Sequence, residues 1–146
     1  MNGTLPIDDG RCFACGPDNP IGIHLQFERA GEQSVRAHVQ LAPEFAGWQG
    51  IAHGGIAMAL LDEGMAHAAG AAGFRGMTGS LSARFRKPVL IGVPLVLEGE
   101  VRWIRRNVLG LWARVAGADG KTLVEGEGHF VVQGRIEDVA DRRSFV

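Results

Sequence analysis

The segment from Gly54 to Ala69 constrains the fold more than any other part of the sequence. Its residues favour a helix, and apolar or small residues occupy nearly every side of it, interrupted by Asp62, Glu63 and His67. A helix that is apolar on nearly all sides is buried rather than placed on a surface. Because most of its side chains are small, neighbouring backbone can approach it closely. The sequence therefore predicts one long buried helix.

Alternating apolar and polar residues predict strands on both sides of this helix. The predicted strands cover residues 23–28, 35–41, 79–87, 95–106, 109–117 and 123–132. Gly31-Glu32 suits a hairpin between the first two strands, and Asp119-Gly120 is a stronger hairpin signal between the last two. Two strands thus precede the helix and four follow it.

A buried helix between two groups of strands needs a sheet curled around it. This order predicts an α+β domain in which an antiparallel sheet wraps around one central helix. The length of 146 residues fits a single domain, 1–146, with a substantial core. Residues 1–20 are predicted to be an N-terminal loop and residues 134–146 a charged, peripheral tail.

The formal net charge of −1 provides no bulk attraction to nucleic acid or to an anionic membrane. No apolar run approaches the roughly 20 residues that a membrane-spanning helix needs. The first ten residues lack a basic region followed by an apolar stretch, so no secretion signal is predicted. Without such a signal, two cysteines do not indicate a disulfide-stapled secreted domain. We therefore expect a cytoplasmic protein without a nucleic-acid or membrane partner.

Asp62 is the most informative residue for function, because it lies in the middle of the apolar helix. A buried carboxylate without a partner is costly, so it must be satisfied by a neighbour or used in chemistry. The two interpretations are a bond to a loop amide or an arginine, and a functional role.

His53-Gly54-Gly55 marks the start of the helix. The first amides of a helix have no internal partner, and glycines let a ligand oxygen approach them, which makes a possible oxyanion site. The alternative is a glycine-rich tight turn. Asp62 lies roughly 10 Å further along the helix. If both groups are catalytic, two antiparallel helices of an obligate dimer must share each site.

The sequence resembles hotdog-fold thioesterases of the phenylacetate-pathway type. The resemblance lies in His53-Gly54-Gly55, six further residues and then Asp62, and it extends from about Cys12 to Val132. Weaker support comes from TGSLSARFRKP, which starts at Thr78, and from the hairpin before the last strand. It implies a dimeric hotdog fold that hydrolyses an acyl-CoA thioester to free acid and coenzyme A.

The resemblance also implies roles for individual residues. Gly55 would supply the amide that polarises the thioester carbonyl, and His53 would support that loop. Asp62 would be the nucleophile or the general base, and Thr78 would help to hold the attacking water. Some relatives have an asparagine six residues before the histidine, where this sequence has Gly47.

Further residues are candidates for binding the substrate. Gly54 and Gln49 flank the proposed oxyanion site. Guanidinium and ammonium groups suit the phosphates of coenzyme A, and the alternative for each residue is an ordinary solvated strand face. These basic candidates are Arg84, Arg86, Lys87, Arg105 and Arg106. Phe45, Trp48 and Phe74 are expected to shape the acyl pocket. The chemistry requires no metal and no cofactor besides the coenzyme A of the substrate.

Two other functions fit the same fold. One is a non-catalytic module that binds acyl-CoA or a fatty acyl group. The other is an enoyl-CoA hydratase, for which Asp62 and His67 would form the acid–base pair. Positions five apart on a helix diverge by about 140°, which disfavours that pair. Glu63, four residues before His67, is expected to make a local contact with it instead.

Cys12 and Cys15 form a CxxC motif. A structural zinc needs about four ligands, and the chain has no second cysteine pair. A dimer could supply two pairs, and His24 is nearby, so zinc stays an alternative. A redox role lacks the usual βαβ context. We interpret this segment as a packed loop.

We expect a homodimer. Whether two such dimers pair into a tetramer is open.

Overall fold

The computed structural model describes residues 8–136 of the chain. Within them lie six strands, one long helix and one short 3-10 turn. In chain order these are β1 (Phe27–Gly31), β2 (Ser34–Val39), the 3-10 turn (Pro43–Phe45), α1 (Gly54–Ala71), β3 (Phe74–Phe85), β4 (Leu95–Arg105), β5 (Val108–Gly117) and β6 (Thr122–Arg135). The predicted order of two strands, one helix and four strands is confirmed.

The six strands form one antiparallel sheet in the order β1-β2-β4-β5-β6-β3. Helix α1 leaves β2, near one edge, and leads to β3 at the opposite edge, so the helix crosses the face of the sheet. An antiparallel sheet around one long helix is the predicted hotdog fold, and this prediction is confirmed. No helix within residues 8–136 combines the length and apolar character that a membrane crossing requires.

The core lies between α1 and the central strands. Leu60 and Leu61 of the helix are fully buried, and alternate residues of β4, β5 and β6 are buried with them. The buried apolar residues of these three strands are Leu95, Leu97, Val101, Leu109, Leu111, Ala113, Val115, Ala116, Val124 and Phe130. Each fully buried leucine contributes on the order of 1.5–3 kcal/mol, so this layer fixes the helix on the sheet.

Small residues bring the helix backbone against the sheet. A side chain at Gly99 of β4 would overlap the carbonyl oxygen of Gly64 in α1. A side chain at Gly64 would in turn come within 3.1 Å of Leu97. The close backbone approach expected from the small residues of the helix is therefore confirmed, and Gly99 allows it on the strand side.

The first predicted strand is wrong in its extent. Strand β1 begins at Phe27, four residues after the predicted start at Ile23. The amides of Ile23 and Leu25 instead donate to the carbonyl oxygens of Phe13 and Ala14, each at 2.9 Å. The alternating pattern of residues 23–27 is thus satisfied by the N-terminal loop, which packs beside it, and not by a sheet neighbour.

Two other strand boundaries differ from the prediction by three residues or more. Strand β3 begins at Phe74, five residues before the predicted start at Gly79. Strand β6 continues to Arg135, and Ile136 is buried, so the start of the predicted peripheral tail belongs to the sheet and the core. Residues 1–7 of the predicted N-terminal loop and 137–146 of the predicted tail lie outside the described residues.

Candidate active site

The start of α1 is capped by the residue that precedes it. His53 is the N-cap residue, and its Nδ1 atom accepts a hydrogen bond of 2.9 Å from the amide of Gly55. Gly54 is exposed, and a side chain built on it would meet nothing within 4 Å. The helix start is therefore open to a ligand, while His53 fixes the direction of the Gly55 amide.

Asp62 has a hydroxyl partner. The Oγ1 atom of Thr78 in β3 donates to Oδ1 of Asp62 at 2.6 Å. Asp62 is half-buried rather than enclosed. This partner is neither of the two considered from the sequence, a loop amide or an arginine. The structure thus brings Asp62 and Thr78 together and leaves the carboxylate facing an open side of the helix.

One face of α1 is not covered by the sheet. Residues 55, 59, 62 and 66 recur on the same side of a helix, since seven residues make almost two full turns. Gly55 is exposed, and Ala59, Asp62 and Ala66 are half-buried, whereas Leu60, Leu61 and Met65 are buried. Gly55 and Asp62 therefore share one face, roughly 10 Å apart, and most of that face is apolar.

Strand β3 runs beside this face and ends the sheet. It pairs with β6 on one side, and no strand within residues 8–136 pairs with its other side. The strand is 12 residues long, and Met77 and Phe85 on it are 46% and 53% exposed. A long unpaired edge with apolar side chains is a surface that proteins normally cover.

Three of the basic candidates lie near one end of β3. Arg86 and Lys87 line a cleft of about 290 Å³ together with Gly54 and Phe85. Arg84 lines a different cleft on the outer face of the sheet. Arg86 also forms a 2.6 Å ion pair with Glu125, and the guanidinium lowers the pKa of that carboxyl.

The other two basic candidates lie elsewhere. Arg105 ends β4, and Arg106 occupies the following turn with a positive φ of 54°. The pairing register places Arg105 in line with Met77, three strands away from β3. On the order of 20 Å or more therefore separates these arginines from Arg84. The structure does not gather the five residues into one phosphate site within a chain.

The residues expected to shape the pocket are also divided. Phe45 accepts a backbone hydrogen bond from His53, and Trp48 in the adjacent loop is 83% exposed, so both lie near the helix start. Gln49 lies beside Trp48 and is exposed. Phe74 follows the other end of the 18-residue helix, about 27 Å from the start, where Arg135 covers its ring.

His67 does not pair with Asp62. Its Nε2 atom lies 3.1 Å from Oε1 of Glu63, and its ring stacks on Phe27 with the centroids 4.0 Å apart. The side chain is buried. The expected local contact between Glu63 and His67 is confirmed, and the acid–base pair that a hydratase would need is not formed by these two residues.

A second polar cluster lies around Glu63, which the sequence did not connect with the cysteines. Cys12, Cys15 and Glu63 place their ligand atoms within 4.8 Å of one another, and both cysteines are free. Burial and the nearby carboxylate raise the pKa of the Cys15 thiol. Burial alone would also raise the pKa of Glu63, but hydrogen bonds from His67 and Cys15 outweigh it and lower that pKa.

The expected packed loop is confirmed, since both cysteines contact the hydrophobic core. About 50 positions separate the cysteines from Glu63 in the sequence, and nothing in the spacing or pattern of the chain signals their approach. Only the folding of the N-terminal loop onto α1 reveals this cluster.

Solved structures resemble this fold closely. A thioesterase superfamily protein, RHA08564, is 31% identical with a TM-score of 0.80, and the match covers 84% of this chain and 63% of that one. A hypothetical thioesterase from Streptococcus pneumoniae, solved with coenzyme A, is 19% identical with a TM-score of 0.72 over 76% of this chain and 90% of that one. That protein was also solved with an aspartate or a threonine replaced by alanine.

The PaaI protein from the phenylacetic acid degradation operon of E. coli is 17% identical. Its TM-score is 0.71, and the match covers 77% of this chain and 82% of that one. A comparison with curated proteins found no match. The sequence profile named "Thioesterase superfamily" matches residues 49–124, just over half of the chain, including the helix start, Asp62 and Thr78. By this match, together with its hotdog fold, the chain belongs to the thioesterase superfamily.

Proposed function

We propose that this protein is an acyl-CoA thioesterase that hydrolyses its substrate to a free acid and coenzyme A. Asp62 acts as nucleophile or general base, and the amides at the start of α1 bind the carbonyl oxygen. The observation that carries the proposal is the carboxylate of Asp62, held at 2.6 Å by Thr78 on a half-exposed and otherwise apolar helix face. A binding module would have no use for a charge there.

The chemistry needs few groups. A thioester carbonyl is already electrophilic, so hydrolysis requires an attacking group and stabilisation of the negative oxygen that forms. Because Thr78 donates to Oδ1 of Asp62, the other carboxylate oxygen is left to accept a proton from water or to attack directly. With Asp62 as general base, water oxygen bonds to the carbonyl carbon, the carbon–sulfur bond breaks, and the leaving thiolate takes the proton that Asp62 had accepted. With Asp62 as nucleophile, the carbon–sulfur bond breaks as an anhydride forms on Asp62, and water then hydrolyses this anhydride to the free acid.

The helix start supplies the second group. Glycine amides with partial positive charge suit a carbonyl oxygen that becomes negative. In the free chain the Gly55 amide donates to His53. A substrate oxygen would share or replace this bond, so His53 would hold the amide in place until the substrate binds.

A dimer would bring the two groups together. Gly55 and Asp62 lie on one uncovered face, so two such faces packed antiparallel would set Gly55 of one subunit opposite Asp62 of the other. Antiparallel pairing of the β3 edges of two subunits would favour the same dimer, because Phe85 at the end of β3 lies beside Gly54. The uncovered strand and the uncovered helix face thus support one homodimer with two shared sites. A dimer of dimers is an open extension.

The relatives support the substrate class. The pneumococcal thioesterase was solved with coenzyme A. Its two alanine variants replace an aspartate and a threonine sixteen positions apart, the separation between Asp62 and Thr78 here. Arg86 and Lys87, near the helix start, are the basic residues best placed for the phosphates of coenzyme A. The two free thiols fit the expected cytoplasmic location.

The test is hydrolysis of a panel of acyl-CoAs by the wild type, Asp62→Asn and the control Glu32→Gln. Glu32 is an exposed residue between β1 and β2, so its variant removes a carboxylate far from α1. We expect turnover by the wild type and the control, and none or little by Asp62→Asn with binding retained. Equal rates in all three would refute the role of Asp62, and binding without any turnover would favour the binding module.

The shared site is tested with mixed dimers. A dimer of one Asp62→Asn subunit and one Gly55→Leu subunit contains one site with both defects and one with neither. We expect each pure variant to be inactive and the mixture to regain part of the wild-type rate. An inactive mixture, with dimers demonstrated by mass measurement, would place both groups of a site in one subunit.

A further inference from the structure

Two cysteine side chains meet a carboxylate on the side of α1 about 100° from Asp62. The N-terminal loop packs against the helix there, and Cys12, Cys15 and Glu63 place their ligand atoms within 4.8 Å of one another. All three residues are half-buried. Two sulfurs and a carboxylate oxygen within this distance are a donor set that a metal ion can bridge.

The loop holds the two thiols in a defined turn. The amide of Cys15 donates to Sγ of Cys12 at 3.4 Å, and the amide of Gly16 donates to the carbonyl oxygen of Cys12 at 2.8 Å. A side chain at Gly16 would overlap the backbone nitrogen of Cys12, so glycine is required there.

The measured spacing fits metal ligation. Sγ of Cys12 lies 3.7 Å from Oε1 of Glu63. A tetrahedral ion with metal–sulfur distances of about 2.3 Å and metal–oxygen distances of about 2.1 Å would separate the two atoms by about 3.6 Å. The spacing between Cys12 and Glu63 therefore matches that of two ligands on one ion.

A buried histidine holds the carboxylate of Glu63 in place. Nε2 of His67 lies 3.1 Å from Oε1 of Glu63, and the ring of His67 is fixed by its stacking on Phe27. Side chains that hydrogen-bond a ligand orient it and tune its affinity for the metal. The buried His67 thus supports Glu63 in the direction of the two cysteines.

We propose that Cys12, Cys15 and Glu63 form a divalent-metal site that attaches the N-terminal loop to the central helix. Two thiolates with one carboxylate favour zinc over magnesium or calcium, which prefer oxygen ligands. Water completes the coordination. This inference departs from the packed loop without metal that the sequence favoured, because Glu63 supplies the ligand that the cysteine spacing lacked. The ion acts in structure, on a side of α1 that Asp62 does not share.

The experiment uses the full chain without a histidine tag. The protein is reduced, loaded with Zn²⁺ and separated from free metal, and bound metal is measured by mass spectrometry. Cobalt loading gives a second readout, since a thiolate–cobalt bond absorbs in the near ultraviolet. We expect a single ion per chain in the wild type and the control Glu32→Gln. Cys12→Ser, Cys15→Ser and Glu63→Gln should bind much more weakly, and His67→Gln roughly 10–100-fold more weakly.

Several outcomes would overturn the site. One is a wild type that retains no more metal than the double Cys12→Ser, Cys15→Ser variant. Another is a cobalt complex without the thiolate band, and a third is rapid formation of a Cys12–Cys15 disulfide that zinc does not prevent. Should a cysteine variant fail to fold, the cobalt spectrum of the wild type alone decides between the site and its absence.

Discussion

Asp62 and Glu63 are adjacent carboxylates on one helix, yet their surroundings differ in almost every respect. Asp62 lies on the uncovered face of α1, where the hydroxyl of Thr78 is its recorded partner. Glu63 points toward the N-terminal loop, where it contacts a buried histidine and a cysteine. One carboxylate faces an open, apolar surface, and the other belongs to a packed polar cluster.

The difference shows that position around the helix, not residue type, assigns the role of each carboxylate. Successive helical residues diverge by about 100°, so neighbours in sequence face different parts of the fold. The Asp62 side meets the free edge strand β3 and an uncovered surface. The Glu63 side meets a loop that closes over it. A site open to substrate can form only on the first side.

The largest expected effect separates the two carboxylates by activity. Asp62→Asn should lower acyl-CoA turnover by roughly 10²–10⁴-fold, the usual contribution of a catalytic acid or base. Glu63→Gln should change turnover by less than about threefold at a temperature where both variants are folded. Steady-state kinetics and circular dichroism measure both. Comparable losses in the two variants would contradict the division of roles.

The next largest effect is expected from a substitution that shifts α1 on the sheet. It should disturb both the Asp62 side and the Glu63 side of the helix. Gly99→Ala places a methyl group against the carbonyl oxygen of Gly64, so α1 must shift on the sheet. We expect a loss of about 1–3 kcal/mol in the free energy of unfolding, measured with urea, together with lower turnover and weaker zinc binding. Gly120→Ala is a useful control for crowding, since its added methyl group meets nothing within 4 Å although its φ of +82° adds strain. Unchanged stability of Gly99→Ala would show that the helix can move freely.

A smaller effect tests the partner of Asp62. Thr78→Val removes the hydroxyl that holds Oδ1, and we expect turnover to fall by at least about tenfold, because one hydrogen bond to a charged group is worth roughly 1.5–3 kcal/mol. Thr78→Ser should restore most of the rate. Ser82→Ala, on the same strand, is the matched control. A valine variant with the wild-type rate would remove Thr78 from the mechanism.

The smallest effect on activity is expected from metal removal. Treatment with a chelator should lower the thermal midpoint of the zinc-loaded protein, because an ion that binds the folded state stabilises it. Turnover at a temperature well below that midpoint should change by less than about twofold, since the proposed chemistry uses no metal. If turnover fell in proportion to the zinc removed, the metal site and the Asp62 site would not be independent.

Residue patterns along the chain were enough to predict the architecture and the chemical candidates. The segment from Gly54 to Ala69 could only be a buried helix, and alternating residues around it gave the order of the strands. The helix start, Asp62 and Thr78 were identified through local motifs and the resemblance that they carry. Such features are encoded by residues close together in the chain, so a linear pattern is enough to reveal them.

The folded structure is what brings particular groups into contact. It joined Thr78 to Asp62, placed Arg105 and Arg106 away from the other basic residues, and brought Cys12 and Cys15 to Glu63. It also paired residues 23–26 with the N-terminal loop rather than with a strand of the sheet. These contacts join segments far apart in the chain. Their formation depends on the packing of the whole sheet around the helix, which no local spacing encodes.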